Sequence, residues 1–108
     1  AVDLAARIVD ILPKNLSRVF YSDNGSTSVE IAMKVAIQYW HNLGKKKTKF
    51  IAFSGGYHGD TFGAMSVGKT TGFYKPFEDI LYKNSFIPFP EDWWGNNQLD
   101  FIFYTEFH

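Results

Sequence analysis

An α/β fold, a parallel sheet flanked by helices, is predicted for this chain by three features of its sequence. A short, continuously apolar run, Val19-Phe20-Tyr21, passes through a small, polar, glycine-bearing turn into a long amphipathic pattern. A second apolar run, Phe50-Ile51-Ala52-Phe53, follows that pattern. Both runs end in glycine-bearing loops, Gly25-Ser26 after the first and Gly55-Gly56-Tyr57-His58-Gly59 after the second. Short, continuously apolar strands suit a sheet covered on both faces, and a strand–helix–strand crossover places its two strands parallel. Ligands bind at the carboxyl ends of such strands, where both loops fall.

The elements follow in order. Val2, Ala5, Ile8, Val9 and Leu12 recur at helical spacing and Pro13 stops them, which predicts a helix from about Asp3 to Leu12. Val19 to Tyr21 reads as the first strand. Val29, Ala32, Met33, Ala36, Ile37 and Trp40 make one apolar stripe, so the next helix is expected from about Thr27 to Leu43. Gly44 is its expected C-cap, and Lys45, Lys46 and Lys47 stand where the negative end of the helix favours cations. Phe50 to Phe53 is the second strand. Thr61 to Ser66 suits a short helical turn, and Gly72 to Ile80 a loop with some helix, broken near Pro76. Phe86-Ile87-Pro88-Phe89-Pro90 is apolar, but its prolines confine it to an edge or an extended segment. Trp93 to His108 has no clear periodicity.

Composition narrows the function classes. The 108 residues carry eleven basic and eleven acidic side chains, so no basic field for nucleic acid is present. There is no cysteine, which excludes disulfides and thiolate metal sites. The histidines at 41, 58 and 108 have no metal-ligand spacing, so no metal is expected. No apolar run approaches membrane-spanning length, and Ala1-Val2-Asp3-Leu4 lacks the form of a signal peptide; a cytoplasmic address is expected. One small domain with one core fits this length.

Two stretches carry chemistry. In Ser22-Asp23-Asn24-Gly25-Ser26-Thr27-Ser28 a strand end opens a helix, whose first turn offers unpartnered N–H groups and a partial positive charge. Gly25 admits close approach and Ser26 adds a hydroxyl, so a phosphate fits there; an ordinary helix start uses the same residue types. In Gly56-Tyr57-His58-Gly59 a flat ring stands on a glycine-flanked loop, either as a platform for a planar ligand or as a filler of a core gap. Gly63-Ala64-Met65-Ser66-Val67-Gly68-Lys69-Thr70 matches the letters of a phosphate loop, but what precedes it is loop-like and Gly72 and Pro76 oppose a helix after it, so the match is read as chance.

The wording of these stretches resembles the class III, pyridoxal-phosphate-dependent aminotransferases. The likeness lies in Phe20-Tyr21-Ser22-Asp23-Asn24-Gly25-Ser26, Val29-Glu30-Ile31-Ala32-Met33-Lys34 and Gly56-Tyr57-His58-Gly59-Asp60-Thr61. Gln38-Tyr39-Trp40 and Gly59-Asp60-Thr61-Phe62-Gly63-Ala64-Met65-Ser66-Val67 narrow it to the biotin-synthesis branch. The resemblance implies part of a fold-type I large domain over residues 1–90, with 91–108 an off-pattern tail. It implies pyridoxal 5'-phosphate as cofactor, with Gly25 and Ser26 at its phosphate and Tyr57 stacked on its ring beside the substrate pocket. His58 is implied to position the loop through a hydrogen bond. Glu30 either bonds near the cofactor loop or pairs with Lys34 on a wet face.

The implied reaction is amino transfer from S-adenosylmethionine to 8-amino-7-oxononanoate, in a homodimer acting on small molecules. The alternatives are another class III enzyme acting on ω-amino acids, or a small non-enzymatic phosphate- or nucleotide-binding module. The family's Schiff-base lysine and the carboxylate on the pyridine nitrogen lie beyond the resembling region. None of the nine lysines sits in such a context, so no catalytic residue is assigned and the chain alone is expected to be inactive.

Overall fold

The computed structural model describes residues 1–69 and 72–90; the tail expected over 91–108 lies outside them. Helix α1 spans Val2–Ile11 and α2 spans Gly25–Asn42. Strand β1 is Ile51–Phe53, α3 is Phe62–Ser66, a 3-10 turn covers Lys75–Ile80, and β2 is Ser85–Ile87.

Helix α1 ends where Leu12 turns extended, its N–H still reaching the Val9 carbonyl at 3.3 Å, one residue before Pro13. Helix α2 begins two residues earlier than its apolar stripe suggests, because a capping box fixes its start. Asn24 Oδ1 accepts the Thr27 N–H at 3.0 Å, and Thr27 Oγ1 accepts the Asn24 N–H at 3.1 Å. Its other end is a Schellman motif. Gly44 at φ +71° donates its N–H to the His41 carbonyl at 2.9 Å, and Lys45 donates to Trp40 at 2.9 Å. Lys45 and Lys47 fold back on that end, with Lys47 Nζ 3.8 Å from the centre of the Trp40 ring.

The expected parallel pairing is present, but between other segments. β1 pairs with β2 in parallel, Ile51 opposite Ser85 and Phe53 opposite Ile87. The crossover thus runs from β1 through α3 and the 3-10 turn to β2. Val19 to Tyr21, expected as a strand, has no ladder partner among the described residues, and Phe20 is 77% exposed. Three apolar residues do not hold a strand without a neighbour to bond. The segment of Phe86 to Pro90 is a strand only as far as Ile87, since Pro88 has no N–H to give. Pro76 does not break the 3-10 turn but sits in its first two positions, where a missing N–H costs nothing.

The core lies around α3. Met33, Ala64, Met65, Val67, Tyr74 and Ile87 are its buried apolar side chains. Ser66 is the buried polar member at 2% exposure, and it is fully bonded. Its hydroxyl donates to the Phe62 carbonyl at 2.5 Å and accepts the Tyr82 N–H at 2.8 Å. Asn84 then ties α3 to the sheet, donating to the Ser66 carbonyl at 2.9 Å and accepting the Phe50 N–H at 3.1 Å. The loop between β1 and α3 is closed at its base: Gly55 donates to the Lys69 carbonyl at 2.8 Å and Lys69 donates to Gly56 at 3.1 Å. The N-terminus of α2 and the loop that carries Tyr57 thereby meet at one edge.

Candidate cofactor site

Gly25, Ser26 and Tyr57 line one open cavity of about 470 Å³, together with Asn24, Val29, His58 and Gly59. The two stretches singled out by sequence, some thirty residues apart, are thus brought to a single place. The expected site residues are all among the described ones.

The phosphate end follows from the capping of α2. Thr27 N–H is taken by Asn24, and Ser28 N–H by the Asn24 carbonyl at 3.0 Å. Gly25 and Ser26 are the first two helical residues, whose N–H groups have no partner within the helix. A Cβ at Gly25 would meet nothing within 4 Å, so the approach to these amides is open. Ser26 Oγ accepts the Asp60 N–H at 3.3 Å, which leaves its own proton to donate. Two backbone donors, one hydroxyl and the helix dipole make a set that fits a phosphate.

The ring end stands on the loop. Tyr57 is 61% exposed, and its hydroxyl donates to Asp60 Oδ2 at 3.0 Å. That bond, above all, holds the phenol above its ordinary range; slight desolvation and the charges of Asp60 and Tyr74 add to it. The single O–H of Tyr57 is thus committed to Asp60. A planar ring beside a phosphate seat, in a cavity open on one side, fits a flat phosphorylated cofactor.

Asp60 belongs to this site, although the sequence reading quoted it without giving it a role. It joins the ring to the helix, by side chain to Tyr57 and by backbone to Ser26. The available signal was a Tyr and an Asp three residues apart across a glycine; Gly59, at φ +124°, makes the turn that lets them meet. Gly59 also has no room for a side chain, since a Cβ there would overlap Ser26. Buried Tyr74 backs the same turn, donating to the Gly59 carbonyl at 3.4 Å.

His58 lacks the hydrogen bond expected of it; among the described residues its ring makes none and packs instead. A Cβ on Gly56 would lie 2.9 Å from His58 Nε2, so the ring is seated against that glycine. It also borders a second, apolar cleft of about 420 Å³ between the stripe of α2 and β1. Glu30 resolves toward the loop: its Oε1 accepts the Gly63 N–H at 2.8 Å. The phosphate-loop look-alike is not a cradle, because Gly63–Ser66 is helical and buried and the Lys69 N–H is taken by Gly56. Thr70 lies outside the described residues. Among the described residues no cluster of acidic or histidine side chains suits a metal.

Comparison with known proteins bears on the same region. The family model described as aminotransferase class-III matches residues 1–102. An adenosylmethionine-8-amino-7-oxononanoate aminotransferase of Synechococcus elongatus is 55% identical over 97 residues, which is 90% of this chain and 23% of that protein. The enzyme of the same name from Staphylococcus aureus is 47% identical over 100 residues, 89% of this chain and 22% of its own. The crystal structure of the adenosylmethionine-8-amino-7-oxononanoate aminotransferase of Methanocaldococcus jannaschii superposes with a TM-score of 0.83 at 43% identity. It covers 95% of this chain and 24% of that one. The chain thus spans about a quarter of the length of the relatives it matches, at 23% and 22%.

Proposed function

This chain belongs to the class III aminotransferases, and from that premise we propose that it is the cofactor-phosphate and ring-platform segment of an enzyme that moves an amino group from S-adenosylmethionine to 8-amino-7-oxononanoate. The family is pyridoxal-phosphate-dependent. The observation that carries the reading is the shared cavity of Gly25, Ser26 and Tyr57. The names and the 47–55% identity of the relatives support the choice of reaction within the family.

Pyridoxal 5'-phosphate, when bound, supplies the electron sink that makes amino transfer possible. The residues of this chain hold and orient it. The N–H groups of Gly25 and Ser26 and the Ser26 hydroxyl take the phosphate. Tyr57 covers one face of the ring and borders the amino-donor pocket. Asp60 takes the Tyr57 O–H and so fixes the ring's orientation, and a substrate would meet the free lone pairs of a held phenol rather than a mobile ring. The lysine and the acidic partner of the pyridine nitrogen come, in this reading, from the remainder of the enzyme and its homodimer.

The enzyme acts on small molecules in the cytoplasm, with neither nucleic acid nor membrane as partner. No helix among the described residues is long and apolar enough to cross a membrane.

The test uses the full-length enzyme carrying this segment. It should show a visible absorption band from bound pyridoxal phosphate and turn over 8-amino-7-oxononanoate with S-adenosylmethionine as donor. A band with turnover of other amino donors only would overturn the choice of reaction. Absence of the band would overturn the cofactor site.

A further inference from the structure

We propose that Glu30 is a positioning residue for the ring loop: by holding the Gly63 N–H it fastens the far end of that loop to α2 and so keeps Tyr57 in register over the cavity. The proposal rests on the cofactor reading above and deepens it.

Residues 59–63 are gripped by α2 at two points one helical turn apart. Ser26 Oγ accepts the Asp60 N–H at 3.3 Å, and Glu30 Oε1 accepts the Gly63 N–H at 2.8 Å. Ser26 and Glu30 are four residues apart and therefore share a face of the helix. The first grip is on Asp60 itself, whose side chain holds the Tyr57 hydroxyl. The grip at Gly63 fills a need of α3. Thr61 is the N-cap of that helix, yet its side chain makes no capping bond, and its buried Oγ1 has no partner among the described residues. Gly63 N–H lies in the first turn, where no intrahelical acceptor exists. A carboxylate brought from α2 satisfies it through a charge-assisted bond, the stronger kind.

The glycines record the same fit. A Cβ at Gly59 would overlap Ser26, and a Cβ at Gly63 would overlap the Glu30 carboxylate. Each side chain of the grip thus sits where a loop residue has none. The alternative, that Glu30 merely pairs with Lys34 one turn along the wet face, does not account for this seat.

The experiment compares E30A, E30Q, G63A and the double variant E30A/G63A in the full-length holoenzyme, reading visible circular dichroism of the bound cofactor together with kcat and KM. The phosphate seat is untouched, so E30A should retain cofactor. Its visible circular dichroism should fall, and kcat/KM should drop by about tenfold or more, because small misplacements at a reacting centre are costly. E30Q, whose amide oxygen can still accept from Gly63, should restore both. G63A should imitate E30A by pushing the carboxylate out, and the double variant should be no worse than E30A alone, since the overlap is then gone. Should E30A fail to fold, G63A carries the same reading. Dichroism and kcat/KM of wild-type size in E30A or in G63A would overturn the proposal, and so would an E30Q as impaired as E30A, or additive losses in the double variant. A parent enzyme without a visible cofactor band would instead overturn the cofactor reading, and this proposal with it.

Discussion

Asp60 donates its backbone N–H to the hydroxyl of Ser26 at 3.3 Å, across 34 positions of sequence. This bond couples the two halves of the site. The helix start that fits a phosphate and the loop that carries the aromatic ring cannot move independently while it stands. In this bond the Ser26 oxygen is the acceptor, so its own proton stays available to donate into the cavity.

Replacing Ser26 by Ala should therefore cost twice. A hydroxyl donor to a charged phosphate is lost, worth about 1.5–3 kcal/mol, or roughly 10- to 150-fold in cofactor dissociation. The Asp60 N–H also loses its acceptor, so the ring loop should loosen. Equilibrium dialysis of cofactor from the full-length enzyme measures the first effect. Unchanged retention would remove Ser26 from the phosphate site.

Tyr57 separates ring from hydroxyl. Tyr57→Phe keeps the face that would stack and loses the bond to Asp60, so cofactor retention should persist while KM for the amino donor rises. Tyr57→Ala loses both, and retention should fall by up to about tenfold, the size of an aromatic stacking contribution. Cofactor spectra and turnover intact in Tyr57→Ala would show that the ring has no part in the site.

The Tyr57 phenol should titrate late. Its folded pKa is raised by the Asp60 hydrogen bond, so the neutral phenol is favoured in the folded chain. The contribution of this bond is fully present below the unfolded tyrosine value, about 10, and is lost as pH rises through the higher folded value. Tyrosinate absorbance of the wild type minus that of Tyr57→Phe isolates the group; its midpoint should lie above 10.0. Asp60→Asn should lower it, because both the charge and the better acceptor disappear. A midpoint unaffected by Asp60→Asn would mean that the pair does not form in solution.

What was legible in the sequence was local; what was not depended on distant contacts. Gly44 announced the end of α2, because only a residue free to take positive φ closes a Schellman motif there. The start was misjudged by two residues, since Gly25 and Ser26 read as turn while the Asn24–Thr27 box makes them helical. The partner of β1 could not be read at all. Short apolar runs recur at 19–21, 50–53 and 86–87, and only tertiary packing around α3 chooses which of them pair. Of the site, the phosphate turn and the ring were visible as types. The Tyr57–Asp60 bond needed the turn at Gly59, and the choice between two readings of Glu30 needed Gly63, 33 positions away.

The cap of α2 offers a stability test that does not touch the cavity's donors. Asn24→Ala removes the acceptor for the Thr27 N–H and should destabilise by about 1 kcal/mol, within the usual 0.5–2. Asn24→Asp should restore most of it, because the carboxylate also accepts and its charge suits the positive end of the helix. Urea unfolding of the full-length enzyme measures both. A wild-type midpoint in Asn24→Ala would mean that the capping box contributes nothing in solution.

The 108-residue chain alone should have no transaminase activity. Its described part leaves large apolar side chains in water, with Val2 and Ile11 each 83% exposed and Phe73 84%. Surfaces of that kind are normally covered by further structure, and bare they drive association, so poor solubility is expected. The cavity has donors for a phosphate and a ring to lie against, but none of the chain's lysines stands in the family's cofactor-bonding context, and an active site completed across a homodimer would also lack the partner's share. Adding pyridoxal phosphate to the purified chain, reducing with borohydride and mapping peptides by mass would reveal any lysine that captures the cofactor. Scattered, substoichiometric labelling is the expected result. One stoichiometrically labelled lysine, together with turnover of 8-amino-7-oxononanoate and S-adenosylmethionine, would make this short chain an enzyme complete in itself.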